Sequence, residues 1–252
     1  MKSQRLAALA HKYECSSFLE GDPSSFMHEA VSAREKEMVA FLASALSFGL
    51  RKAFMGKIRF ILSLAHEGLY EWVKNGCYQD VFKPEDGTSF YRYYSYGDMH
   101  RFFSLCRQIF AEYSTLGDFV EKNVKDRKAS SAIELFSDYF NKKGKSKMIP
   151  KPTSACKRLC MFLRWMVRDG SQVDIGVWAD KIDRSTLIIP LDVHVLRQAS
   201  KIGLIRKRPS ASMKLARELT EELSKIFPGD PCKGDFALFG LGVSGASQVI
   251  HH

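Results

Sequence analysis

The sequence predicts an all-α fold, and three observations support that prediction. The 252 residues are 45% hydrophobic and 26% charged, which is ordinary for a globular protein and excludes a disordered or fibrous chain. Apolar residues recur at helical spacing along most of the chain, as at Met38, Phe41, Leu42 and Ala45. No alternating apolar pattern is long enough for a sheet, and no apolar run approaches the roughly 20 residues of a membrane span.

The first half of the chain is predicted to be a series of helices. The strongest pattern runs over Glu35–Phe48 and ends at Gly49, and it is apolar nearly all round, so we expect this helix to be buried. The stretch 76–96 is aromatic and loop-rich, whereas 141–153 holds five lysines with proline and glycine breakers and is expected to be a linker. The other helices expected in this half span 54–73, 98–113 and 129–140.

The second half begins with a predicted helix over Ser154–Gly170, with Ser154 as its N-cap. One face of this helix is apolar, and Lys157, Arg164 and Arg168 stand on the opposite side. Three further elements follow, namely a strand-like run at Leu187–Leu191, a helix over Asp192–Leu204 capped by Asp192, and a helix over Ser212–Phe227 capped by Ser212. The segment DFALFGLG, 235–242, is predicted to be the last helix.

The charge of the chain favours a polyanionic partner. Lysine and arginine number 38 and aspartate and glutamate 28, so the formal net charge is +10. Nucleic acid is the commonest polyanionic partner of such a protein. On charge alone, a basic protein with no such partner is an equally good interpretation.

The cysteines and the N-terminus indicate the cellular compartment. None of the six cysteines forms a C-x-x-C pair, which is typical of small buried side chains in a reducing compartment. Cys156 and Cys160 are one helical turn apart, but no second pair of ligands is near them, so we expect neither a metal nor a cofactor. The apolar stretch 6–10 is too short for a signal peptide, and a cytoplasmic, monomeric protein without a membrane association is expected.

Two residues have the chemistry of a catalytic pair. Lys157 is near the positive N-terminal end of its helix, where a lysine loses its proton more easily, and a neutral lysine forms a Schiff base with carbonyl-like carbon. Asp192 could activate an attacking group or stabilise a developing cation. Taken singly, each residue has a simpler interpretation: Lys157 as a solvated surface lysine and Asp192 as a helix cap.

The segment IPLDVHVLRQASKIGL resembles the V-D-x-H-V-x-R-x-x-x-x-x-G-L stretch of the helix-hairpin-helix DNA glycosylase superfamily. In that family the aspartate is the catalytic carboxylate, and a lysine on an upstream helix is the nucleophile. The interval of 35 residues between Lys157 and Asp192 is closest to that of the archaeal 8-oxoguanine glycosylase branch. Glu35–Phe54 and 235–242 resemble the opening and closing helices of the family's helical domain, and the chain also resembles an uncharacterised bacterial family placed near these glycosylases.

The resemblance implies a DNA repair glycosylase with lyase activity that excises a damaged, oxidised base from double-stranded DNA. Lys157 and Asp192 are then the catalytic residues. It also implies two helical lobes, 31–170 and 1–30 with 171–252, with a helix-hairpin-helix-like element and the active cleft between the lobes. The expected DNA-binding residues are Lys147, Lys151, Ser154, Arg158, His194, Arg197, Arg206, Lys207 and Arg208.

The chain departs from the family at the hairpin. The family pattern L-P-G-V-G-x-K has glycines that let backbone amides approach a DNA phosphate. Here the stretch is Pro152-Thr153-Ser154-Ala155-Cys156-Lys157, without glycine, so either the hairpin is altered or Lys157 is misaligned and Lys151 is the nucleophile. The four-cysteine iron–sulfur cluster of the endonuclease III branch is also missing. The alternative is a nucleic-acid-binding protein of the same fold without catalytic activity.

Overall fold

The computed structural model describes residues 2–206 and 210–243, and its fold is all-α, as predicted. Helices account for 62% of the residues. Strands β1 (Ser89–Tyr91) and β2 (Tyr94–Ser95) form one small antiparallel sheet. The helices are α1 (Lys2–Tyr13), α2 (Ser25–Glu29), α3 (Ala33–Leu46), α4 (Arg51–Leu64), α5 (Leu69–Lys74), α6 (Tyr96–Tyr113), α7 (Leu116–Asn123), α8 (Ala129–Ser137), α9 (Lys157–Val167), α10 (Val193–Lys201), α11 (Met213–Ile226) and α12 (Lys233–Val243). Among the residues described, no helix is both long and apolar enough to cross a membrane.

The chain forms two compact units. Unit 1 contains the described parts of Met1–Glu20, Lys128–Ile133 and Pro152–His252, and unit 2 contains Gly21–Arg127 and Glu134–Lys151. The lysine-rich segment 141–153 therefore spans a boundary between units. Residues 152–170 belong to unit 1, together with the C-terminal helices. The sequence had instead placed them in the lobe 31–170, apart from those helices.

Unit 2 is organised around α3, which is buried on almost every side, as its sequence predicts. The Phe41 ring stacks on Phe102 of α6, with 5.3 Å between the ring centroids. The one buried carboxylate of α3, that of Glu37, accepts a hydrogen bond of 3.0 Å from the backbone N–H of Gly117 at the start of α7. A helix buried in this way satisfies its polar group with a neighbouring helix terminus, and so fixes that neighbour in place.

The expected continuous helix over 54–73 is wrong, because the chain breaks between α4 and α5. Gly68 adopts φ +96°, which is accessible to glycine and costly for other residues. The Glu35 carboxylate then accepts hydrogen bonds from the backbone N–H groups of Leu69 and Tyr70 at 2.6 and 2.8 Å. An acid from α3 therefore caps α5, a long-range contact that apolar spacing cannot indicate.

In unit 1, the expected N-cap at Ser154 is wrong. Helix α9 begins at Lys157, and its N-cap is Cys156, which has the left-handed conformation with φ +47°. The Ser154 hydroxyl instead accepts a hydrogen bond of 3.2 Å from the backbone N–H of Cys156. The caps predicted at Asp192 for α10 and Ser212 for α11 are confirmed, as is the closing helix α12.

Arg164 of α9 and Arg168, the C-cap residue of this helix, are buried, with side chains only 4% and 3% exposed. The Asp174 carboxylate, which is completely buried, pairs with both guanidinium groups. Arg164 also pairs with Asp235 of α12, and Arg168 pairs with Asp230 at 2.8 Å and with Glu14 at 2.7 Å. A buried guanidinium is stable only when it is paired and fully hydrogen-bonded, so this ionic network is a condition for the folding of unit 1.

The loop after α9 places Asp174 in this network. The backbone N–H groups of Ile175 and Trp178 donate to the carbonyls of Trp165 and Met166 at 2.8 and 2.7 Å, so the loop folds back over the end of the helix. Gly176 is essential to this path because it has φ +69° and an added Cβ would lie 2.5 Å from the Cα of Asp169.

We expect Asp174→Ala to destabilise the protein by about 3 kcal/mol, because it removes the carboxylate shared by two buried cations. The free energy of unfolding in urea measures this change. Glu222→Ala is the matched control, since its partner Lys225, at 2.6 Å, is exposed on α11 and such surface pairs contribute less than about 1 kcal/mol. Equal losses in the two variants would contradict the importance of the buried network.

Candidate active site

Lys157 and Asp192 form an ion pair in unit 1, with 2.8 Å between Lys157 Nζ and Asp192 Oδ2. Lys157 is the first residue of α9, and Asp192 is the N-cap of α10. Their side chains are 39% and 25% exposed, so the pair is partly open to solvent. The structure thus brings together the two residues that the sequence selected as catalytic, 35 positions apart.

Local structure fixes the direction of the Asp192 carboxylate. The preceding residues 187–191 are buried and extended but form no strand, and the Ile189 N–H donates to Thr220 Oγ1 of α11 at 3.1 Å. At the start of α10, Asp192 Oδ1 accepts hydrogen bonds of 2.9 Å from the backbone N–H groups of His194 and Val195. One carboxylate oxygen therefore caps the helix, and the other is directed to Lys157.

The electrostatic environment keeps Asp192 ionised. Burial alone would raise the pKa of this carboxyl, but the Lys157 ammonium and the N–H groups of Val195 and His194 outweigh burial and lower it below the ordinary 3.8. These partners all favour the charged form. At neutral pH, Asp192 is therefore a carboxylate in contact with an ammonium group.

A second carboxylate, that of Asp235, interacts electrostatically with this pair. Burial raises the pKa of Asp235, its partner Arg164 opposes that change, and the negative charge of Asp192 reinforces it. Sequence reasoning missed Asp235, which it assigned only to the closing helix. A single acid in the first turn of an otherwise apolar helix was the available signal, because such an acid needs a partner.

The turn before α9 has the position of the expected hairpin but not its glycines. The strain that a glycine would relieve falls on Cys156, whose left-handed backbone costs roughly 1 kcal/mol. Cys156 and Cys160 are buried, and burial raises the pKa of both thiols, so neither thiol is an activated nucleophile. The described residues contain no group of three potential metal ligands.

The other expected DNA-binding residues are distributed over both units. In unit 1, His194, Arg197 and Arg206 are exposed, Ser154 is exposed before α9, and Arg158 is half-buried next to Lys157. Lys147 and Lys151 belong to unit 2, where the exposed Lys147 pairs with Asp98 at 3.7 Å. Lys207 and Arg208 lie outside the described residues.

We expect the carboxyl pKa of Asp192 to lie below 3.8 and to rise in Lys157→Gln, because the main attractive charge is then lost while both capping N–H groups remain. Carbon-detected NMR titration of the carboxyl group measures both values. Because the carboxyl pKa of Asp192 is lower in the folded state than in the unfolded state, ionised Asp192 stabilises the fold at any pH above its unfolded pKa. This stabilisation is lost as the pH falls through the folded pKa, so it is complete at pH 7. An unchanged pKa in the variant would contradict the contact.

Comparison with known proteins gives one match. A family model described as "Protein of unknown function (DUF2400)" matches residues 22–244, which cover most of both units and include the ion pair. No curated protein and no solved structure matches the chain. The chain therefore belongs to the DUF2400 family, whose function is unknown.

Proposed function

We propose that this protein is a DNA repair glycosylase with associated lyase activity, which removes an oxidised base from double-stranded DNA through a Schiff base on Lys157. The 2.8 Å contact between Lys157 Nζ and Asp192 Oδ2 carries the proposal. The contact supports the pairing implied by the resemblance of the segment 189–204 to the glycosylase motif. It also favours Lys157 over Lys151 as the nucleophile.

In the proposed reaction, the damaged nucleotide first leaves the base stack, because its sugar is not accessible inside a duplex. The neutral amine of Lys157 attacks C1′, and the bond from C1′ to the base breaks with its electron pair going to the base. The Asp192 carboxylate stabilises the positive charge that develops at the sugar. The attack requires Lys157 to lose a proton, which Asp192 Oδ2 can accept at hydrogen-bond distance. Asp192 then passes this proton to the departing base, so that the carboxylate is restored as the positive charge develops at the sugar.

The lyase step follows from the same covalent bond. The nitrogen at C1′ loses a proton to water, and its electron pair forms the C=N bond of the Schiff base as the C1′–O4′ bond breaks and O4′ takes a proton from solvent. Water then takes a proton from C2′, and the electron pair of that C–H bond forms a C2′–C3′ double bond and expels the 3′ phosphate, which breaks the strand. Only an unprotonated amine can form this covalent bond. The proposal therefore assigns the bond to Lys157, whose proton Asp192 can accept.

The proposal includes a helix-hairpin-helix-like element formed by the turn over 150–156 and α9. The backbone N–H groups at the start of α9 are suited to a DNA phosphate, which the helix dipole would also attract. Ser154 and Arg158, on either side of Cys156, are the side chains best placed to add contacts at this turn. His194, Arg197 and Arg206 are the exposed unit 1 candidates for backbone contacts.

We expect borohydride to trap the protein covalently on a duplex containing an abasic site, and Lys157→Gln to abolish trapping. An abasic site already presents the C1′ aldehyde, so this result does not depend on which base is recognised. Lys225→Gln is the control for charge, because Lys225 is an exposed lysine on α11 in the same unit. Gel electrophoresis of the protein–DNA adduct measures the outcome.

Trapping that survives in Lys157→Gln would contradict the assignment of the nucleophile, and Lys151→Gln would then be tested. Duplex binding without trapping by the unaltered protein would favour the alternative, a nucleic-acid-binding protein without catalytic activity. The absence of hairpin glycines is the observation in favour of that alternative.

We expect Asp192→Asn to slow base release by about a hundredfold or more on a lesion-containing duplex, since an amide supplies no negative charge to the transition state. Asparagine also caps helices well, so the thermal midpoint should change little. Single-turnover base release on a panel of oxidised bases measures the first effect and circular dichroism the second. A release rate equal to that of the unaltered protein would contradict a catalytic role for Asp192.

A further inference from the structure

Unit 2 has a groove along α6 that the proposed chemistry does not use. Two cavities of about 320 and 430 Å³ lie on this helix and share the lining residues His100, Ser104 and Gln108. The two cavities are therefore adjacent along three successive turns of one helix, and we call them together the α6 groove.

The α6 groove is lined by cations. Arg101 and Lys143 line the first cavity and Arg107 the second, while no carboxylate is among the described residues that line either one. Asp98, in the first turn of α6, is already engaged with Ser95 and Lys147. The positive potential acts on His100, whose pKa is lowered by burial and further by Arg101 and Lys83.

The arginines of the α6 groove have unused donors. Within the described chain, neither Arg101 nor Arg107 forms an ion pair, and Arg107 donates only through Nε, to the Lys74 carbonyl at 3.1 Å. That bond anchors the Arg107 guanidinium at the groove and leaves its terminal nitrogens available. Ser104 and Gln108, between the arginines, add neutral donors.

The helical spacing fits an extended anion. The two arginines are six residues apart, which separates them by about 9 Å along the helix axis and puts them at opposite edges of the His100–Ser104–Gln108 stripe. A guanidinium matches phosphate geometry with two parallel N–H bonds. Two such groups separated along a groove suit successive phosphates better than a single small anion.

We propose that the α6 groove binds the phosphate backbone of nucleic acid and is a second contact surface for the substrate. This inference rests on the proposed function for the identity of the polymer, although the groove itself belongs to unit 2 and the catalytic pair to unit 1. Most basic residues expected from sequence to bind DNA lie in unit 1, whereas this surface comes from α6, to which the sequence assigned no DNA-binding residue.

The test is the salt dependence of binding to an undamaged duplex, measured by fluorescence anisotropy between 50 and 200 mM salt. Arg101→Gln/Arg107→Gln should reduce the magnitude of the slope of log K against log salt by about 2, because two phosphate contacts are lost. The ratio of the duplex-binding constant of the unaltered protein to that of this variant should therefore fall about tenfold between 50 and 200 mM salt. Gln108→Lys should increase the slope by about 1.

Arg51→Gln/Lys52→Gln is the matched control, because it removes two exposed charges of α4 in the same unit, outside the α6 groove. A slope change equal to that of the control would overturn the proposal. Binding of a nucleoside triphosphate that depends on Arg101 and Arg107, with unchanged duplex binding, would also overturn it and identify a small phosphorylated ligand instead. Thermal unfolding verifies that each variant is folded.

The same variants separate this inference from the proposed function. At saturating protein, Arg101→Gln/Arg107→Gln should retain trapping on the abasic duplex, because Lys157 is unchanged. If the double variant has the same salt dependence of binding as the unaltered protein and the unaltered protein is trapped, the groove proposal is refuted and the glycosylase proposal is not. A slope change in a protein that never traps would refute the glycosylase proposal and leave the groove as a nucleic-acid contact.

Discussion

The burial of Arg164 and Arg168 is the constraint on which unit 1 depends. Two guanidinium groups inside one body require carboxylates, which come from Glu14 after α1, Asp174 and Asp230 in loops, and Asp235 of α12. The ion pairs with these acids fix the orientation of α9 about its own axis. Lys157 is seven residues before Arg164 and therefore lies near the same face, about 10 Å away along the axis. The rotation that pairs the arginines thus also directs Lys157 to Asp192.

The elements that the sequence predicted correctly are those whose determinants are local. Apolar spacing indicated α3, and side-chain caps located the starts of α10 and α11. Where the determinant was distant, prediction failed. The division at Gly68 depends on Glu35, which is over thirty residues away. The start of α9 failed for a different reason: its determinant, the left-handed Cys156, is local, but no residue preference indicates that conformation.

The Lys157–Asp192 ion pair shows a similar division. Helix capping alone explained Asp192, and position on a polar face alone explained Lys157, so the residues themselves left each with a simpler interpretation. Only the resemblance to a glycosylase motif joined them, and the structure places them in contact. The partners that surround the pair were not foreseen, because Arg164, Asp174 and Asp235 meet through tertiary packing and share no motif.

The resting ion pair has a consequence for the proposed chemistry. An ammonium paired with a carboxylate is not nucleophilic, and the charge of Lys157 favours the ionised form of Asp192. The pair must therefore be disturbed before attack, and a sugar placed beside Lys157 would do so by displacing water from its partly exposed end. Loss of water removes the solvation that favours ions, and transfer of the proton to Asp192 then leaves both groups neutral. The proton can return to the departing base, which restores the carboxylate as the Schiff base becomes cationic.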